Sequence, residues 1–202
     1  NAQMLKMFIP QEDDNFEAVD LIARAGERAT KVVRGLLDFS RQERYDFVQG
    51  DLNKSVREAI ELSKFQFENF DVILHHQLEE NLPPLEGSWE HLKSVWINLL
   101  VNARDAVLEQ DGEKQVEILT RYSDNEEQIQ VLVRDNGKGI TEAEMAHIFE
   151  PFYTTKDPGK GTGLGLATCH RIIEQHEGEI DLTSEPQAGT TFIIRLPVSK
   201  TV

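Results

Sequence analysis

Near Asp51 the apolar residues of this chain change from a single helical period to alternating helical and strand periods, and that mixture excludes a fold made only of helices or only of strands. From about Phe16 to Arg41 apolar residues recur three and four apart, at Leu21, Ile22, Ala25, Ala29, Val32, Val33, Leu36 and Phe39. Lys31, Arg34, Asp38 and Arg41 fill the polar remainder, as on an amphipathic helix. A seam this close to a heptad calls for partner helices, because one amphipathic helix is marginal alone in water. Asp13, Asp14 and Asn15 supply N-cap candidates before it. After Asp51 helices and strands alternate. A helix runs from Asn53 to about Phe67, a strand begins at Val72, and Leu82-Pro83-Pro84 breaks the chain. A long helix spans Trp89 to Leu108. Val116 to Thr120 and Ile129 to Val133 read as paired strands around the turn Ser123-Asp124-Asn125-Glu126. A glycine-rich stretch then feeds a helix ending near His176, and closing strands lie near Ile180–Ser184 and Thr191–Leu196. This order predicts a two-layer α/β sandwich, a mixed sheet with helices on one face, preceded by a helical segment. The boundary is set between residues 1–48 and 49–202.

Charge and composition narrow the function. A formal net charge of −15 over 202 residues argues against wrapping nucleic acid, whose phosphates demand a basic surface. It leaves room for a nucleotide, which needs only a few local cations, amides and a metal ion. Cys169 is the single cysteine, so no internal disulfide forms, and a reducing cytoplasmic setting is expected. No apolar run approaches the ~18 residues of a membrane span, so no membrane contact is expected from these residues, although a parent protein could be anchored upstream.

Three segments carry chemistry. On the long helix Asn98, Asn102 and Asp105 fall within an arc of roughly 60°, bordering the apolar stripe of Leu92, Val95, Leu99, Ala103 and Ala106. Their side-chain oxygens are hard ligands of the kind Mg²⁺ prefers; a solvated helix edge has the same pattern. In Val131-Leu-Val-Arg-Asp135-Asn136-Gly137-Lys138-Gly139-Ile140, Asp135 continues the face of Ile129, Val131 and Val133. A buried carboxylate needs a partner, such as an exocyclic amine, and Gly137 and Gly139 let backbone approach a flat ligand. A plain Asn-Gly turn reads the same way. The third segment, Ile148-Phe149-Glu150-Pro151-Phe152-Tyr153-Thr154-Thr155-Lys156, precedes Gly159-Lys160-Gly161-Thr162-Gly163-Leu164-Gly165-Leu166. Alternating glycines open onto a helix N-terminus, which offers amides and a positive dipole to phosphates. Lys156, Lys160, Thr154, Thr155 and Thr162 add possible charge and hydroxyls. The spacing is neither that of a P-loop nor that of a Rossmann turn; a mobile surface loop is the alternative.

Asn98–Asp105, Asp135–Gly139, Phe149–Phe152 and Gly161–Gly165, in that order and spacing, resemble the N, first glycine, F and second glycine boxes of histidine kinases, in the GHKL ATPase superfamily with its Bergerat-type fold. The likeness covers about Asp51 to Val198. The short segment Phe152–Lys156 with Gly159–Leu166 is similar to the nitrogen- and oxygen-sensing subgroup, and Arg34–Arg41 resembles the end of a second dimerisation helix. The resemblance implies ATP and Mg²⁺ as cofactors, with Asn102 as metal ligand and Asn98 beside the metal–triphosphate, the two making the catalytic pair. It implies Asp105 at the nucleotide, Asp135 accepting from the adenine amine, and Gly137 and Gly139 along the base. Ile148 and Tyr153 would pack near adenine and ribose. Gly161, Thr162, Gly163, Leu164 and Gly165 would meet phosphates, with Thr154, Lys156 and Lys160 as further contacts. It also implies a homodimer through the helical segment and a response-regulator partner.

None of the six histidines shows the family's acceptor pattern of His, then Glu or Asp, then Pro four residues after that acid. The acceptor is expected upstream of Asn1 or in another chain. Glu177 replaces a glycine common in relatives. Three rivals stand beside the kinase: a conformational ATPase of the gyrase, chaperone or mismatch-repair type, a non-catalytic nucleotide-binding module, and an anti-sigma type serine kinase. The ATPases carry a glutamate as general base where this chain has Asn98, and an amide cannot accept that proton.

Overall fold

The computed structural model describes residues 4–5, 8–10, 13, 15–40, 45–123, 125–157 and 161–198, without the side chains of 27–28 and 31–40. The chain forms two compact units. One comprises Asn1–Glu43 with Phe152–Leu164, the other Arg44–Pro151 with Gly165–Val202.

In the first unit, α1 (Phe16–Ser40) is a single helix. The Asp13 carboxylate accepts from Asn15 N–H at 2.8 Å and the Asp13 carbonyl from Phe16 N–H at 2.9 Å, which satisfies donors at the helix start. Asp14 and Arg41 lie outside the described residues. Leu21 and Ile22 stand 64% and 61% exposed, so part of the apolar seam is uncovered.

The second unit is the α/β sandwich. Its elements are β1 (Val48–Gly50), α2 (Leu52–Glu68), β2 (Ile73–Leu78), β3 (Leu85–Gly87), α3 (Trp89–Leu108), β4 (Gln115–Ser123), β5 (Gln128–Asp135), α4 (Glu142–Met145), α5 (Gly165–Gln175), β6 (Glu179–Glu185) and β7 (Gly189–Pro197). Five strands form the main sheet in the order β2-β4-β5-β7-β6. β2 and β4 run parallel and the other pairs antiparallel, giving the mixed sheet expected. β1 and β3 make a separate antiparallel ribbon, which apolar periodicity in three-residue strands was too short to announce.

Alternation marks the central strands β4, β5 and β7. Ile129, Val131, Val133 and Asp135 of β5 are buried while Arg134 is exposed, and Phe192, Ile194 and Leu196 of β7 repeat the pattern. Helices α2, α3 and α5 cover that face. Leu92, Val95, Trp96, Leu99 and Leu100 of α3 are all fully buried; each such side chain contributes about 1.5–3 kcal/mol by leaving water. Trp96 Nε1 donates to Ser55 Oγ on α2 at 3.0 Å, so the helix pair has a directed contact as well. Asp51 caps α2, its carboxylate accepting from Asn53 N–H at 2.8 Å. Buried His176, just after α5, has Nδ1 at 2.7 Å from the Ile172 carbonyl and accepts from Ser88 N–H at Nε2 at 2.9 Å. Those partners require a neutral ring with its proton on Nδ1, and burial lowers its pKa accordingly.

Candidate functional site

Helix α3 carries Asn98, Asn102 and Asp105 along one edge, all half-buried beside the apolar stripe. Arg104 lies next to Asp105 and its Nε donates to Asp105 Oδ1 at 3.0 Å. The same guanidinium bonds Gln66 on α2 and lies 5.6 Å from the centroid of the Phe70 ring, within cation–π range. Sequence reasoning passed over Arg104; its role depends on α2 being its neighbour. Gly165 opens α5 against this edge: a Cβ added there would sit 3.4 Å from Asn98 Oδ1. The Asn98 amide therefore lies at the positive end of an 11-residue helix.

Asp135 ends β5 and is only 3% exposed. Gly137 N–H donates to its Oδ1 at 2.8 Å, and the backbone of Thr190 on β7 also bonds the carboxylate. Burial pushes its pKa up from 3.8 to about 6, with the Gly137 and Thr190 bonds pulling the other way. The partner that a buried carboxylate requires is thus supplied in part by backbone, and its acceptor capacity is not exhausted by two donors.

The loop after Asp135 is pinned at several points. Lys138 N–H donates to the Ala106 carbonyl of α3 at 3.3 Å and Gln187 N–H to the Lys138 carbonyl at 2.7 Å. Gly139 has φ +69°, and an added Cβ would fall 2.1 Å from the Glu185 carbonyl oxygen. No side chain fits there, so this position requires glycine for both conformation and space. Ile140 N–H donates to Ser184 Oγ at 2.8 Å. Ile148 is buried, and Phe149 packs 5.2 Å from the His170 ring.

Tyr153, Thr154, Lys156, Gly161, Thr162, Gly163 and Leu164 belong to the other unit, in a segment closed on itself. Phe152 N–H donates to the Gly163 carbonyl at 2.9 Å. Gly163, at φ +68°, leaves no room for a Cβ, which would come within 2.4 Å of the Phe152 carbonyl carbon. Thr154 Oγ1 accepts from Lys156 N–H at 3.2 Å, and Thr162 Oγ1 from Leu164 N–H at 3.4 Å. Lys160 lies outside the described residues.

The expected residues thus gather into three groups. Asn98, Asn102 and Asp105 share an edge with Gly165 against Asn98; Asp135, Gly137 and Gly139 form a second group tied to the end of α3; and Tyr153, Thr154, Lys156, Gly161, Thr162, Gly163 and Leu164 form the third, within the other unit. The histidines stand apart. His75 and His76 are exposed on β2, and His91 stacks 4.2 Å from Tyr45. His147 lies in the turn after α4, 2.8 Å from a Glu150 carboxylate oxygen. Among the described residues no three His, Cys, Asp or Glu side chains group as a metal cage, and no helix is long and apolar enough to cross a membrane.

Residues 87–200 match the family model described as "Histidine kinase-, DNA gyrase B-, and HSP90-like ATPase". The chain belongs to this ATPase family. It is 35% identical to the signal transduction histidine-protein kinase AtoS of Escherichia coli over 91% of this chain and 29% of that protein. To sporulation kinase E of Bacillus subtilis it is 32% identical over 97% of this chain and 26% of the relative. It therefore spans about a third or less of these two relatives. Among solved structures, the catalytic domain of the histidine kinase ThkA overlays with a TM-score of 0.66 at 29% identity, covering 76% of this chain and 96% of that one. ThkA in complex with the response regulator protein TrrA gives 0.75 at 25% identity, over 98% of this chain and 55% of that one. These overlays agree with the mixed-sheet sandwich described above. Thr190 and Ser184, which join Asp135 and its loop to the far strands, carry no signal in the sequence. Only the pairing of β5, β7 and β6 brings them there.

Proposed function

We propose that this chain is the ATP-binding, phosphoryl-donating part of a two-component sensor histidine kinase, and that its residues 1–48 are part of a helical dimerisation segment. The observation that carries the reading is Asp135: a carboxylate buried at a strand end, beside a glycine-walled loop, with acceptor capacity still open. An adenine amine meets that need. Asn98, Asn102 and Asp105 would face the metal–triphosphate. The glycines and hydroxyls of Tyr153–Leu164, together with Lys156 and Lys160, would meet the phosphates. Gly165 adds the amides at the start of α5.

Mg²⁺ fits the donors present. Carboxamide oxygens at a helix edge suit a hard cation that takes most of its ligands from phosphate and water, with Asn102 as the protein ligand. Bound there, the ion would neutralise charge on the transferring phosphoryl group. The chain's own residues orient the triphosphate and exclude water, the main contributions a protein makes to phosphoryl transfer. Donation to an imidazole rather than to water is favoured by Asn98, whose amide cannot take a proton from an attacking water. The relatives are named as histidine kinases, and the ThkA–TrrA complex supports a response regulator as the onward acceptor. A cytoplasmic setting accords with the single buried thiol.

With labelled Mg·ATP the chain should bind nucleotide yet acquire almost no acid-labile phosphate, since none of its histidines has the acceptor pattern. Supplying a dimerisation helix that bears the acceptor histidine should restore labelling, and changing that histidine to Gln should abolish it. Efficient acid-labile labelling of the chain alone would overturn the assignment of the acceptor elsewhere. Rapid phosphate release without labelling would favour an ATPase.

A further inference from the structure

Asp135, Thr190 and Ser184 form one row across three strands, Asp135 paired with Thr190 and Thr190 with Ser184. Directly opposed residues carry their side chains on the same face, here the face on which Asp135 is buried. The Ser184 hydroxyl makes three contacts. It accepts from Ile140 N–H at 2.8 Å, lies 2.9 Å from the Gly189 carbonyl oxygen, and lies 2.9 Å from Thr190 Oγ1.

Valence places the protons. A hydroxyl has one proton and two lone pairs. The Gly189 carbonyl can only accept, so Ser184 gives its proton there. The Ile140 amide can only donate, so it occupies one lone pair. The other lone pair takes the Thr190 proton. Thr190 Oγ1 is then left with lone pairs alone, on the strand position opposite a carboxylate that also accepts.

We propose that Ser184 is a positioning residue for base selection. By holding the Ile140 amide and the Thr190 proton together, it anchors the glycine loop and makes the wall around Asp135 accept hydrogen bonds only. Such a wall favours an amine at the purine 6-position and rejects a carbonyl there, whose lone pairs would face lone pairs. Ser184 touches no ligand; it acts through Thr190 and the loop. The inference rests on the adenine reading of Asp135.

Titration calorimetry of the full chain with Mg·ADP and with Mg·IDP, which carries the 6-carbonyl, tests it. The wild-type chain should prefer ADP by at least about tenfold. In Ser184→Ala the Thr190 proton is free to turn toward a carbonyl. ADP affinity should fall about three- to tenfold while IDP affinity holds or rises, so the preference narrows. A merely structural role lowers both affinities together and leaves their ratio alone. Ser184→Thr and Ser184→Val provide a matched pair of equal shape, so the question does not depend on how Ser184→Ala folds. Thr should keep the ratio and Val should narrow it. A selective wild type whose ratio survives in folded Ala or Val variants overturns the role of Ser184 alone. A wild type that binds neither diphosphate overturns the adenine reading and this inference with it.

Discussion

At Asp135 burial and ligand recognition pull in opposite directions. Burial favours the neutral acid, raising the pKa from 3.8 to about 6, whereas an adenine amine needs a carboxylate to accept from. The folded state therefore holds a proton that the unfolded chain has already lost between those two values. Stability from this group is highest in acid and declines as pH rises through that window. Above pH 6 the charged side chain costs up to about 3 kcal/mol. Asp135→Asn should consequently melt higher than the wild type at pH 7 without ligand, a result that differential scanning calorimetry reads directly. The same variant should lose roughly ten- to a hundredfold in nucleotide affinity, the worth of a charge-assisted hydrogen bond. Wild-type affinity should also weaken below about pH 6, approaching tenfold per unit as the carboxylate protonates. Comparing the pH slopes of wild type and Asp135→Asn cancels the titration of the phosphates themselves. Parallel slopes would remove Asp135 from the site.

Among the elements, α3 does two jobs with opposite faces. Its apolar face buries Trp96 and four neighbouring side chains against α2, α5 and the sheet, which fixes the height of the helix over the strands. Its polar edge is then held where Asn98 meets the start of α5. If Asn102 ligates the metal, Asn102→Asp should change the Mg²⁺ dependence of ATP binding more than it changes binding of metal-free adenosine. Equal losses in titrations of the two would point to packing instead. The packing side has its own test. Trp96→Phe removes the donor to Ser55 and leaves a small void, together costing about 1–3 kcal/mol. Urea unfolding followed by circular dichroism should show the lower midpoint with little change in slope.

For the whole molecule, the exposed apolar residues of α1 are one place where apolar surface is left uncovered among the described residues. Leu21 and Ile22 are more than half exposed, an arrangement that a second copy of the helix would relieve at about 25 cal/mol per Å² of apolar surface covered. Sedimentation velocity should show the chain self-associating, and Leu21→Glu with Ile22→Glu should shift it to monomer while the melting of the α/β unit stays unchanged. A wild type that stays monomeric at high concentration would count against α1 as a pairing surface.

The elements set by local period are legible in the residues themselves: the long helix Trp89–Leu108 coincides with α3, and the alternation of Ile129, Val131, Val133 and Asp135 puts that carboxylate on the buried face. A period needs only neighbours in sequence, so it survives being read in one dimension. Pairing does not. The ribbon of β1 and β3, the bond from Ser88 to His176, and the row Asp135–Thr190–Ser184 each join residues far apart in the chain. A slip of one residue in β7 would have turned Thr190 to the other face. The same holds for Arg104, which became a partner of Gln66 and Phe70 only once α2 lay alongside α3. Sequence alone determined the long helices, the central strands and the face on which Asp135 lies. Tertiary structure decided which backbone amides hold Asp135 and where the Thr190 proton goes, because register and hydrogen-bond valence are properties of strands already paired.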